Sequence, residues 1–505
     1  VIEAQQARVP MIVLTADRPP ELRDVGAGQT IDQIKLFGGA AKQFFEVGVV
    51  GEATPAALRW MRTLACRAVR TALDGRPGVV HLNLPLREPL IMSEPLPAKD
   101  PLPGRADGRP WVARPAPISA GPGVAEPPGP AVISLPAGRG VVVAGRTERE
   151  GGGAAAAALA ERLGWVLLAD PLSGARRGPN AIACYDALLR DPGFVARIGA
   201  PAAVVRIGDV PTSKPLRGWL AGLDPAIRQL AIDPEGTWHD PDGVVSERAA
   251  VGLDALVAEG VGEADGAAGA AGAAGAGDPA WLAQWRDADA AAARAIAETI
   301  GAGPDAPLNE PLIAAELTAA LPAATTLFVA ASMPIRDVET FAPARDDGPL
   351  TLSNRGANGI DGIVASALGA AAAGSGPVVL HIGDVALAYD LSALLSARRL
   401  ALDLTIVLVN NDGGGIFHFL PVATQADHFE HHVATPHGLD FAVAAQLYGA
   451  RHLPVATAGD LRAAVAQATA PGAGVTIVEA RTERDANVAL HRRVWDAVGA
   501  ALGTS

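Results

Sequence analysis

Two short apolar runs in the last third of the chain end in residues able to hold a hard cation. Val378 to Ile382 runs into Gly383-Asp384, and Leu404 to Val409 runs into Asn410-Asn411. Asp384 stands 27 positions before Asn411. Both runs have the length and β-branched content of buried parallel strands. The segment between them predicts a helix over roughly Leu391 to Ser396. One strand–helix–strand step therefore brings Asp384 and Asn411 to the same carboxyl rim, where open α/β sheets bind ligands. A carboxylate and an amide oxygen suit Mg²⁺, which takes a few protein oxygens and completes its octahedron with phosphate and water. Gly413 can add a backbone carbonyl, and Gly413-Gly414-Gly415 leaves little bulk to keep a phosphate from the backbone. Asn-Asp-Gly is also ordinary turn chemistry, so two plain strand-end turns are the alternative reading.

The elements that must position this pair repeat along the chain. Val9 to Ala16 reads as a strand covered on both faces, Thr54 to Leu73 as a helix ended by Gly75 and Pro77, and Val79 to Leu84 as a strand. Glu94 to Pro130 is rich in Pro and Gly and reads as a linker. Strands at Arg139–Gly145, Trp165–Ala169, Ala202–Ile207 and Gln229–Ile232, with a helix over Gly153–Leu163, form a second unit. Gly260 to Gly277, an Ala/Gly tract, reads as a flexible loop. Strands at Leu327–Ala330, Val378–Ile382, Leu404–Val409 and Thr476–Glu479 build a third unit. The expectation is an α/β chain of three parallel-sheet domains, with segments 1–95, 96–130 (linker), 131–305 and 306–505. The chain opens on Val1 and enters its first strand almost at once, so the first domain is expected to be incomplete, with its upstream part absent.

Composition narrows the class. The chain has 54 acidic and 41 basic side chains and a net charge of −13, which argues against a nucleic-acid partner. No apolar run nears the ~20 residues of a membrane span. Two cysteines, Cys66 and Cys184, make no disulfide framework and suit a reducing cytoplasm. Some motifs carry less than they suggest. His428, His431, His432 and His437 read as solvated side chains of a surface or lid loop rather than a zinc site. Gly145 to Gly151 departs from the dinucleotide-binding glycine pattern. Arg492-Arg493 reads as a solvated helix face.

Gly-Asp followed by Asn-Asn at this spacing resembles the signature of thiamine diphosphate enzymes. With LTADRPPELRDVGAGQTIDQ (Leu14–Gln33), SNRGANGIDGIVASALGAAAAG (Ser353–Gly374) and VNNDGGGIFHFLP, it is similar to the thiamine-dependent synthases of menaquinone biosynthesis. The resemblance spans essentially the whole chain and is specific in these blocks. It implies the thiamine diphosphate fold: the end of a pyrimidine-binding domain, a central domain and a diphosphate-binding domain. It also implies Mg²⁺ or Mn²⁺, and a cofactor held between subunits of a homodimer or homotetramer. The implied reaction decarboxylates 2-oxoglutarate and adds the resulting succinyl carbanion to isochorismate. The rival readings are an acetolactate synthase-like 2-oxoacid decarboxylase or ligase, and a non-catalytic cofactor-binding remnant.

Residue by residue, the resemblance implies metal ligands at Asp384, Asn411 and Gly413, with Gly383 and Ala386 beside the diphosphate. Val385 and Ala386 depart from the family, whose members carry Gly and small hydroxylated residues there. Ile360 matches the apolar wedge that bends the cofactor, and Ile416 and Phe417 line the pocket. Both substrates are dianions, and arginine pairs bidentately with carboxylates. The implied substrate set is Arg18, Gln29, Ser332, Arg336, Arg355 and Lys214, with Ser332 also near the cofactor. Gly28 stands where the family usually has Asn. Plainer readings are a rim salt bridge from Arg18 to Asp17 or Glu21, a helix cap for Ser332 and ordinary core for Ile360. No residue here matches the family glutamate that contacts the aminopyrimidine, which lies upstream of the strand that opens this chain.

Overall fold

The computed structural model describes residues 1–49, 51–88, 90, 104–105, 107–112, 133, 135–147, 151–251 and 277–503. The fold is α/β on three sheets whose strand pairs are all parallel. The chain divides into two compact units, Val1–Gly129 with Glu235–Thr237 and Arg355–Asn358, and Pro130–Pro234 with Trp238–Asn354 and Gly359–Ser505. Most of the expected linker, and the Ala/Gly tract except Gly277, lie outside the described residues.

The first unit carries β1 (Met11–Asp17), β2 (Gln43–Glu46) and β3 (Val79–Pro85) in the order β1-β3-β2. Helix Pro55–Leu73 forms because Thr54 accepts the Ala57 N–H at 3.2 Å and Pro55 presets the first turn. It buries Leu64, Ala68 and Ala72 against Val80 and Leu82 of β3. Strand β1 departs from expectation. It lies at the sheet edge, and Met11, Ile12 and Leu14, from both of its faces, are exposed. Side chains join the strands near their carboxyl ends. Asn83 donates to Asp17 and Glu46, both at 2.9 Å, and accepts from Thr15 at 2.9 Å.

The second unit holds two sheets. One runs β5-β4-β6-β7-β8, from β4 (Gly140–Ala144), β5 (Val166–Ala169), β6 (Ala203–Ile207), β7 (Arg228–Ile232) and β8 (Glu247–Ala249). The other runs β10-β9-β11-β12-β14-β13, from β9 (Thr326–Val329), β10 (Leu350–Leu352), β11 (Val378–Gly383), β12 (Leu404–Asn410), β13 (Arg451–Val455) and β14 (Val475–Arg481). The central strands are nearly continuous buried apolar runs and fall where the sequence predicts them. Strands β2, β8, β10 and β13 were not anticipated. They are short or half-exposed, so little apolar patterning marks them.

A shared core joins the two sheets. Trp281, Trp285 and Ile296 of helix Pro279–Ile300 pack with Leu490, Val494 and Val498 of helix Arg484–Ala501. Arg176 adds a buried polar tie, donating to the Ala169, Glu339 and Ala342 carbonyls at 2.8, 2.9 and 3.0 Å. Among the described residues no helix is long and apolar enough to cross a membrane.

One core residue breaks the apolar rule. His381 lies on β11 and is fully buried, and neither ring nitrogen makes a well-formed hydrogen bond. Burial pushes its pKa down to about 4, with the nearby Val407 backbone offsetting only part of that cost. An unfolded histidine titrates near 6.5, so between about pH 6.5 and 4 the unfolded chain binds a proton that the folded chain refuses. Stability carried by the neutral ring is therefore present above pH 6.5 and lost as pH falls through that window. Thermal midpoints from pH 7.5 to 4.5 should drop further in the wild type than in His381→Leu. Parallel curves would show that His381 does not titrate in this way.

Candidate cofactor and metal site

In the second unit, the carboxyl ends of β9, β11 and β12 lie side by side. Gly383 closes β11 in an extended conformation that turns the chain directly into helix Asp384–Tyr389. The helix expected over Leu391–Ser396 is instead this short helix, then a 3-10 turn at Leu391–Ala393 and helix Leu394–Leu400. Asp384 therefore sits at the first helical position, on the rim. A Cβ built on Gly383 meets no atom within 4 Å, so open space adjoins it.

Asp384 is 2 % exposed. Its carboxylate accepts the N–H groups of Val385 at 2.7 Å, and of Asn411 and Gly413 at 3.1 Å each. Burial pushes its pKa above the ordinary carboxylate value, against those backbone donors and the nearby His437, which pull it down. His437 Nε2 lies 3.2 Å from Asp384 Oδ2, in a geometry too oblique for a hydrogen bond. This corrects the reading of His437 as one more solvated loop histidine. His428, His431 and His432 are exposed, whereas His437 is half-buried against the rim, because Asp412 accepts the N–H groups of His437 and Gly438 at 3.0 and 2.8 Å.

The two asparagines do different work. Asn410 is buried and donates to Glu479 at 2.7 Å, tying β12 to β14, and Glu479 also meets His452 Nε2 at 2.6 Å. Asn411 donates from Nδ2 to Glu310 at 2.8 Å, while its buried Oδ1 has no hydrogen-bond partner. Gly413 has φ of 141°, and a Cβ there would stand 2.4 Å from the Ala434 carbonyl oxygen, so only glycine fits. Its own carbonyl accepts only the Gly415 N–H at 2.9 Å among the described backbone bonds, which leaves a lone pair. A buried carboxylate, an unpartnered amide oxygen and a carbonyl lone pair fit a hard divalent cation. Among the described residues no group of three or more His, Cys, Asp or Glu side chains could hold a metal, so the mixed oxygen set is the candidate.

Other expected residues distribute as follows. Ser332 follows β9 in a left-handed conformation, φ 72°, and stands at a helix N-cap without making a side-chain cap bond. Its carbonyl accepts from Arg336 at 2.5 Å, so the two do share one helical turn. Ile360 is half-buried at the edge of the core that contains Ile382 and Leu408. Ala386 is buried in that same core, so its methyl group packs inward. Ile416 is half-buried and Phe417 exposed in the 3-10 turn Gly415–Phe419. Lys214 opens helix Lys214–Ala221 on the central sheet, exposed.

In the first unit, Gln29 is exposed with φ 60°. The guanidinium of Arg18 approaches Glu88 at 3.8 Å, not Asp17 or Glu21, because Asp17 is taken by Arg23 at 2.7 Å and Glu21 by Arg87 at 2.8 Å. The loop Arg355–Asn358 belongs to this unit, where Glu3 accepts the Gly356 and Ala357 N–H groups at 2.7 and 2.6 Å. At the end of β4, Gly145 and Asp209 are in such close contact that a Cβ on Gly145 would collide with the Asp209 carbonyl. That contact continues the pairing of β4 and β6, with the Gly145 N–H donating to Ile207 at 2.9 Å and the Asp209 N–H to Arg146 at 3.0 Å.

Glu310 was missed by sequence reasoning. It lies 101 positions from Asn411, with no local pattern linking the two. Burial, then the neighbouring Asp337, push its pKa up, opposed by the donors from Asn411 and Thr482.

Comparisons with known proteins agree with this geometry. The family model "Middle domain of thiamine pyrophosphate" matches residues 126–329. The model "Thiamine pyrophosphate enzyme, C-terminal TPP binding domain" matches residues 345–480, which include Asp384, Asn411 and Gly413. Thiamine pyrophosphate is thiamine diphosphate under another name. The chain is 41% identical over 508 residues to the 2-succinyl-5-enolpyruvyl-6-hydroxy-3-cyclohexene-1-carboxylate synthase of Chloroflexus aurantiacus, covering 99% of this chain and 83% of the relative. It is 40% identical over 514 residues to the synthase of that name from Geobacillus kaustophilus, covering 99% and 83%. With the one from Myxococcus xanthus it shares 41% over 521 residues, covering 100% and 84%. A rim whose oxygens would fit a hard cation, a C-terminal thiamine pyrophosphate domain and two-fifths identity across nearly the whole chain lead to one conclusion: the chain belongs to the thiamine diphosphate-dependent 2-succinyl-5-enolpyruvyl-6-hydroxy-3-cyclohexene-1-carboxylate synthases.

Proposed function

We propose that this chain decarboxylates 2-oxoglutarate and joins the succinyl fragment to isochorismate, using thiamine diphosphate held through Mg²⁺ or Mn²⁺. The observation that carries the cofactor site is the buried, unpartnered Oδ1 of Asn411 beside the buried carboxylate of Asp384. Asp384, Asn411 Oδ1 and the Gly413 carbonyl hold the cation. When bound, the cofactor supplies the electron sink that lets a 2-oxo acid lose CO₂. Gly383 and the backbone at Ala386 flank the diphosphate, since the Ala386 methyl is turned into the core. Ile360, Ile416 and Phe417 give the apolar lining.

Arg18, Arg336 and Arg355, with Gln29, Ser332 and Lys214, bind and orient the carboxylates of the two dianionic substrates. Support for Ser332 is its left-handed backbone together with a hydroxyl not spent on capping. Segments 1–95, 131–305 and 306–505 act as the pyrimidine-binding part, the central domain and the diphosphate-binding domain, with 96–130 linking the first two. The working form is a cytoplasmic homodimer or homotetramer, without nucleic-acid partners.

The substrate reading is tested by following isochorismate loss with thiamine diphosphate and Mg²⁺ present. Loss should require 2-oxoglutarate, and loss driven equally by pyruvate would overturn it. Asp384→Ala removes the charged ligand and should weaken Mg²⁺-dependent cofactor binding by more than about 100-fold in calorimetry; unchanged affinity would remove Asp384 from the site. Gly413→Ala forces a side chain into a left-handed, blocked position. It should cost roughly 1–3 kcal/mol in urea unfolding and weaken cofactor binding, and a variant equal to wild type in both would show that glycine is not required there.

A further inference from the structure

Resting on the reading that Asp384, Asn411 and Gly413 hold the cation, we propose that Glu310 is the positioning residue that fixes which end of the Asn411 amide faces the metal. An asparagine amide can turn over and exchange its oxygen for its NH₂ group, and only the oxygen can ligate a cation. At Asn411 the choice is forced from behind. The Glu310 carboxylate is an acceptor, and it takes Nδ2 at 2.8 Å, leaving Oδ1 without a partner.

Glu310 is itself held independently of Asn411. It is 3 % exposed, and it accepts from the Thr482 hydroxyl at 3.0 Å and from Asn487 Nδ2 at 2.8 Å. Those donors lie just after β14 and in helix Arg484–Ala501. Asn309 accepts the Leu312 N–H at 2.9 Å and so fixes Glu310 at the first position of helix Glu310–Ala320. Every named partner of the carboxylate is a donor, so the ionised carboxylate favours the amide as it stands over the turned-over one. Partners of this kind behind a metal ligand typically carry 10–100-fold in metal affinity.

The test is Mn²⁺ binding in the presence of thiamine diphosphate, read from the free-Mn²⁺ electron paramagnetic resonance signal, beside the thermal transition of the metal-free protein. Glu310→Met fills the same space without an acceptor and should weaken Mn²⁺ about 10–100-fold. Glu310→Gln keeps an acceptor for Asn411 Nδ2. Its new NH₂ group can be met by Asn487 Oδ1, which has no hydrogen-bond partner in the structure. This variant should stay within about threefold of wild type, a rescue that a purely structural role would not produce. If Glu310→Met does not fold, Glu310→Asp, which draws the carboxylate back by one methylene, carries the same expected loss. Wild-type Mn²⁺ affinity in a folded Met or Asp variant overturns the proposal, and so does a Gln variant as weak as Met. Asp384→Ala is the control. Binding that it fails to weaken overturns the metal-site reading and this proposal with it, whereas binding lost in Asp384→Ala and intact in the Met variant overturns the positioning role alone.

Discussion

A carboxylate shut away from water at the end of a parallel strand is the constraint on which this molecule turns. Asp384 is 2 % exposed, and ionising it there is unfavourable unless something positive stands close. Backbone N–H groups from Val385, Asn411 and Gly413 supply part of the compensation. His437 at 3.2 Å adds to it, and the neighbouring oxygens, with the Asn411 Oδ1 unpartnered, would fit a cation. The geometry thus ties the candidate metal site to the local fold. The turn after β12 brings its N–H groups to Asp384 and still leaves a carbonyl lone pair and an amide oxygen free.

That turn is held by a ring of buried polar contacts. Asn410 and Glu479 clamp β12 to β14 from one side, and Glu310 reaches Asn411, Thr482 and Asn487 from the other. Asp412 fastens the segment that carries His437, and Ala434 closes over Gly413 and Gly414. A site stitched from strand ends, a helix start and a returning loop is rigid where ligand geometry matters. The polar atoms left unpartnered there, Asn411 Oδ1 and His437 Nε2, face one problem rather than being scattered defects.

The central sheet contributes support to this unit. Its ties to the C-terminal part include an apolar seam of tryptophans and leucines and the buried Arg176, whose donors are met by the Ala169 carbonyl of β5 and by the Glu339 and Ala342 carbonyls at the end of helix Met333–Phe341. At its own rim Gly145 and Asp209 stand in close backbone contact.

The sequence by itself determined the α/β class, the central strands and the identity of the metal-ligand candidates. Each depends on local pattern: buried parallel strands are continuous apolar runs, and a ligand at a strand end is marked by the strand before it. It also marked the family through Asp384, Asn411 and the blocks around Arg18 and Arg355. Only the tertiary structure decided the short or half-exposed strands, the early start of the helix at Asp384 and the edge position of β1, since these follow from neighbours that apolar patterning does not encode. The same holds for the partners of Asn411 and Glu310. Glu310 and Asn411 are 101 positions apart, and Glu310 and Asn487 are 177 apart. Nothing local distinguishes these side chains from solvated ones. Burial alone makes their hydrogen bonds obligatory, and burial is a property of the assembled fold.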